Sequence, residues 1–206
     1  MTIAEKLTTI GENQQKVYDA GVADGEKQAF ADYVENCNRS PSFLYAFAGA
    51  GWASTDTSIR KKTYLATEDM VFNCTVNSQN MYSYSYVTDT VAAINLATES
   101  GNAKGTFENA TRLVTIRKLI VSEQTPTLRF TGCTKLNNIT IEGIFATSQN
   151  FSPCPLTNET VQNIIDHLKD MTGQTTQTLT LKADVGAAVT DAQKAAITAK
   201  NWTLIY

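Results

Sequence analysis

A single histidine among 206 residues is the first scarcity that narrows what this chain can do. His167 has no second imidazole to work with, so a histidine pair for proton transfer or metal ligation has no other member. The four cysteines, Cys37, Cys74, Cys133 and Cys154, show no C-x-x-C spacing, which argues against zinc and points to free buried thiols. Charged residues make up only 18% of the chain, and the net charge is −3. The densest basic run is Arg60-Lys61-Lys62, far short of a surface that neutralises phosphates, so nucleic acid is not an expected partner. Gly49-Ala-Gly51 leads into Trp52 without the lysine of a phosphate loop. Glu68 and Asp69 are adjacent, and neighbouring side chains diverge in strand and helix alike. No apolar run approaches the ~20 residues of a membrane span, and Met1-Thr-Ile-Ala-Glu-Lys6 lacks the apolar core of an export signal. The expectation is a chain without catalytic constellation, cofactor, metal or membrane insertion, made in a reducing cytoplasm.

What the chain does have is a segment written twice. Phe107-Glu-Asn-Ala110-Thr-Arg-Leu113-Val-Thr-Ile116 is answered, 23 residues later, by Phe130-Thr-Gly-Cys133-Thr-Lys-Leu136-Asn-Asn-Ile139. Phe, a small residue and Leu fall three apart, which suits one tight turn packed inward, and Ile then opens an extended run. A repeat of this length buries its apolar face only against its neighbours. The unit resembles the BspA-like class of bacterial leucine-rich repeats, with its F-x-x-C-x-x-L-x-x-I pattern. The expected fold class is therefore α+β: an N-terminal helical arm over 1–40, then a short leucine-rich-repeat-like solenoid over 41–206. Its one small parallel sheet should hold the strands at Ile116, Ile139, Leu179 and Leu204.

In the arm, Thr2 and Glu5 make a capping box, and Ile3, Leu7, Ile10, Gln14 and Val17 follow in heptad steps. Such a narrow stripe suits partner helices, so Ile3, Leu7, Ile10 and Val17 are candidate oligomerisation positions, with a trimer favoured. Packing on the chain's own body is the equal alternative. Phe72-Asn-Cys74 reads as a degenerate earlier coil, and Thr88-Asp89 as the cap of a short helix carrying Val91 and Ile94. Ser152-Pro-Cys-Pro155 reads as a break. Beyond it Thr157 caps a helix whose stripe runs Val161, Ile164, Ile165, Leu168, Met171 and stops at Gly173. Thr190 with Gln193 caps another helix before a final strand at Trp202–Tyr206.

Between arm and repeats lies Asn38-Arg39-Ser-Pro-Ser-Phe43-Leu-Tyr45-Ala-Phe47-Ala-Gly49-Ala-Gly51-Trp52. This block, the opening and the final helix–strand unit together resemble a family of phage and prophage proteins from Gram-positive gut bacteria, filed as minor structural or tail-associated. The resemblance implies a virion component located in tail, baseplate or fibre, assembled in the host cytoplasm, with other virion proteins and a host surface receptor as partners. The rival expectation is a bacterial surface or secreted adhesin. Aromatic residues offer the contact area for either. Tyr82, Tyr84 and Tyr86 alternate with serines, and Trp52 precedes them. They are candidate partner-binding residues, with packing beneath the arm as the favoured alternative.

Overall fold

The structure is a computed structural model, and it describes residues 68–74, 78, 79, 81–83, 85, 87–97 and 102–206. The arm with Ile3, Leu7, Ile10 and Val17, the linking block with Trp52, and Tyr84 and Tyr86 lie outside the described residues.

Parallel strands cannot be joined by tight hairpins; each needs a crossover of a dozen residues or more, and the spacing of this sequence supplies one per unit. Among the described residues the strands are β1 (Val71–Asn73), β2 (Asp89–Thr90), β3 (Ala93–Asn95), β4 (Thr115–Ile120), β5 (Asn138–Glu142), β6 (Gln149–Phe151), β7 (Gln177–Leu181) and β8 (Trp202–Ile205). Every pairing between them is parallel. Among the described residues the helices are α1 (Asn158–Asp166), α2 (Ala183–Ala187) and α3 (Asp191–Ala199), with a 3-10 turn at Asn102–Gly105.

These strands form two sheets, not one. The first is a curled five-stranded sheet in which β1, β3, β4 and β2 are successive partners and β5 pairs with β4. Since β4 meets Asp89–Thr90 at one end and Ile94–Asn95 at the other, β2 and β3 lie end to end along one edge of β4, and β5 takes the other edge. The second sheet runs β6-β7-β8. Ile116 and Ile139 therefore belong to one sheet, Leu179 and Leu204 to another. That division overturns the expected α+β arm-plus-solenoid fold: the described part is an α/β arrangement of two small parallel sheets.

The cause of the division is local. After Cys154 the chain enters α1 where the two earlier units entered a strand. The Asn163 side chain accepts the Ile141 backbone N–H at 2.8 Å, and the Asn137 carbonyl accepts the Thr157 N–H at 3.0 Å. The helix thus occupies the edge of β5 that a further strand would have needed, which ends the first sheet.

Within the first sheet the alternation of the sequence is broken to advantage. Register shifts between Ile116 and Leu119, so Arg117 and Lys118 together oppose Thr140 alone. In an unbroken strand either Ile116 or Leu119 would face solvent; the bulge turns both inward and both charges outward. The region expected as a helix at Thr88 is instead β2 and β3, because Thr90, Ala92, Ala93 and Ile94 are buried against β4 and β1. Tertiary burial here outweighs the capping signal.

Through the interior runs a column of rings. Tyr82 stacks on Phe107 with centroids 5.7 Å apart, Phe107 on Phe130 at 5.6 Å, and Phe130 on Phe151 at 4.9 Å. Near-parallel rings in successive units are worth about 0.5–1.5 kcal/mol per pair beyond burial. Phe151 with Cys154 is thus a third copy of the Phe/small-residue step, at the place read from sequence as a break. Phe72 is not in the column: it sits in β1 opposite Ile94.

Helix α1 begins as expected, with the Thr157 hydroxyl accepting the Thr160 N–H, but it ends at His167 instead of running to Gly173. Leu168 leaves the helix to pair with Phe145. The Lys200 ammonium donates to the carbonyls of Ile165, Asp166 and Leu168 at 2.8, 3.1 and 2.9 Å, placing a cation on the groups a helix end leaves unpaired. Helix α3 carries the full Thr190/Gln193 capping box.

Candidate functional site

Charge, hydrogen-bonding groups and exposure converge at one place on the first sheet, its outward face at β2, β4 and β5. Arg117, thrown outward by the bulge, donates from Nε to both Asp89 carboxylate oxygens at 2.9 Å and from Nη2 at 2.8 Å. Its Nη1 meets the Glu68 carboxylate. Hydrogen bonding to Asp89 and that carboxylate's charge hold the Arg117 guanidinium above its ordinary range. Lys118 pairs with Glu142 at 2.6 Å, and Thr140 lies between them, exposed. Arg117 and Thr140 therefore face outward, whereas Thr180 is only half-exposed.

This face can bind and orient; its guanidinium is already engaged by two carboxylates, which leaves a mosaic of both signs, not a basic or acidic patch. Exposed pairs of this kind add little to stability, being screened by water and salt. They do determine which side chains a partner meets.

Tyr82, the one named aromatic among the described residues, is fully buried at the head of the ring column, within a turn and not on a strand. It forms part of the core and offers no contact area. Nothing is brought together with it at the surface.

The groups with chemistry of their own are similarly engaged. His167 Nδ1–H donates to the Asn163 carbonyl at 2.7 Å, which fixes its ring at the end of α1. The Cys133 thiol is buried and donates to the Phe107 carbonyl at 2.9 Å. Desolvation pushes it up to about 12, and burial raises the Cys154 thiol further, with the neighbouring Cys133 adding to the effect. Thiols held protonated are poor nucleophiles. Among the described residues no cluster of three or more His, Cys, Asp or Glu could hold a metal ion, and no helix is long and apolar enough to cross a membrane.

Two features escaped the sequence reading. The Arg117–Asp89 pair spans 28 residues and has no local signature. The third Phe/Cys step was hidden because Ser152-Pro153 and Pro155 read as punctuation, although Phe151 and Cys154 keep the spacing of Phe130 and Cys133. Comparison with family models, characterised proteins and solved structures yields no match.

Proposed function

We propose that this protein is a non-enzymatic component of a phage or prophage particle, in tail, baseplate or fibre, with structural work and host-surface binding as its tasks. The observation that carries this reading is the block Asn38-Arg39, Tyr45–Gly49, Gly51 and Trp52, which with the opening and the closing helix–strand unit resembles tail-associated proteins. The geometry supports the non-enzymatic half. A column of stacked rings and two parallel sheets make a stiff frame, and its most polar face carries charges already matched to each other. A frame of that kind suits presentation and assembly more than turnover.

On this reading the chain is assembled in the bacterial cytoplasm and incorporated into the virion. It works as a homo-oligomer, a trimer through Ile3, Leu7, Ile10 and Val17, beside other virion proteins and facing a host receptor. Purified particles should contain the chain, detected by mass spectrometry after separation from free protein. Its absence from particles, together with its presence on intact bacterial surfaces, would replace this reading with the rival, a bacterial surface interaction protein.

A further inference from the structure

Two extended segments run side by side, Thr127–Phe130 and Gln149–Phe151, joined by a parallel bridge between Arg129 and Asn150, and each leads into a turn, at Thr131 and at Ser152–Pro153. Their side chains alternate. Leu128, Phe130 and Phe151 point into the core, while Arg129, Thr131, Asn150 and Ser152 are exposed. Between the segments lies a cleft of about 280 Å³ with Thr127 and Pro153 also on its wall. That is just under the lower end of small-molecule pockets, about 300 Å³, so it suits a single small ring.

The hydroxyls of this cleft are uncommitted. Among the described residues the hydroxyls of Thr127, Thr131 and Ser152 have no hydrogen-bond partner in the protein. Asn150 uses its side-chain oxygen to accept the Ser152 N–H at 2.9 Å, which leaves its amide nitrogen to donate. Among the described residues Arg129 has one acidic neighbour, Glu108, at 3.9 Å, beyond hydrogen-bond length. The guanidinium is therefore close to a carboxylate without being bonded to it, unlike Arg117 in its close bidentate pair.

We propose that this cleft binds a carboxylate-bearing sugar, of the uronic-acid class. A guanidinium fork takes a carboxylate through two parallel N–H···O bonds, which Glu108 does not make. Three hydroxyls and an amide along the two segments match a ring carrying several hydroxyls, and the Pro153 ring supplies an apolar side for a sugar face. This proposal deepens the host-surface half of the function above and rests on that half alone, since acidic sugars belong to cell surfaces. It does not depend on where the protein is carried.

The test is a titration of the ¹⁵N-labelled full chain with sodium glucuronate, glucose and sodium acetate, followed by amide shifts. Glucuronate should move Thr127–Thr131 and Asn150–Ser152 selectively. Glucose, without the carboxylate, and acetate, without the hydroxyls, should each bind about tenfold more weakly or less. Arg129→Gln, at an exposed position, should lose about tenfold for glucuronate while the remaining spectrum is retained. Glu108→Gln should bind glucuronate at least as tightly as the parent, because a competing carboxylate is gone, and this arm decides the matter if Arg129→Gln fails to fold. Unmoved shifts with glucuronate, acetate matching glucuronate, or Glu108→Gln abolishing the binding would overturn the proposal. Binding by a chain that particles lack would leave the site standing and remove the virion; a chain found in particles without such binding would do the reverse.

Discussion

Individual residues show how little of this molecule's stability lies in its charges. Leu136 is fully buried at a repeat position, and Leu136→Ala should cost about 2–5 kcal/mol in chemical denaturation. An unchanged midpoint would mean the repeat positions are not core. Gly143 is exposed, yet its φ of 94° lies in the left-handed region, and a Cβ there would overlap the Val121 carbonyl. Gly143→Ala should therefore destabilise by roughly 1–3 kcal/mol, far more than an ordinary surface change. The thiols supply a pH signature. Cys133 releases its proton near 12 in the fold against 9.0 unperturbed, so the folded state keeps a proton that the unfolded chain gives up. Its contribution is complete below pH 9 and is lost as pH rises towards 12, at up to about 1.4 kcal/mol per pH unit. Denaturant midpoints measured across that window should fall, and less steeply in Cys133→Ala. Either thiol should also resist alkylation until the chain unfolds.

At the scale of elements, Lys200 holds together what the sequence separates. Its ammonium serves three carbonyls at the end of α1 from the turn between α3 and β8. Lys200→Met keeps the stem and removes the donors, and should cost about 1–3 kcal/mol by thermal or denaturant unfolding. A neutral result would mean that water replaces the ammonium without loss. The same region shows what the sequence could and could not convey. Caps were legible, because a Thr hydroxyl and a Gln three residues on act within one turn: Thr157 and Thr190 start helices where their spacing says. The strands at Ile116, Ile139, Leu179 and Leu204 were legible too, from short apolar runs. Their distribution between two sheets was not, since it turns on Asn163 reaching Ile141 across 22 residues. The end of α1 at His167 was hidden for a similar reason: the Val161–Met171 stripe continues, but Leu168 and Met171 are buried from outside a helix.

For the whole molecule, the binding cleft and the charged face illustrate the limit of reading a site from a chain. Arg129 and Asn150 carry no motif; only the parallel bridge makes them neighbours. Tyr82 was legible as a large aromatic, but exposure is a property of the fold, and the fold spends that ring on the column. Assembly belongs to this scale as well. The mass of the full chain in solution, compared with a chain starting near Ser40, should fall from a trimer to a monomer if Ile3, Leu7, Ile10 and Val17 join the copies. A full-length monomer would remove that claim.

The ring column has a mechanical meaning. Tyr82, Phe107, Phe130 and Phe151 are separated by 25, 23 and 21 residues, so each unit is fastened mainly to its immediate neighbours. Tension applied between Thr115 and Tyr206 would then peel units away one after another, with no single event in which the body gives way. Each release should lengthen the tether by at most ~80 Å, the reach of about 23 extended residues. Such stepwise yielding absorbs load while the remaining units stay folded, which is the behaviour that the proposed place on a particle would call on.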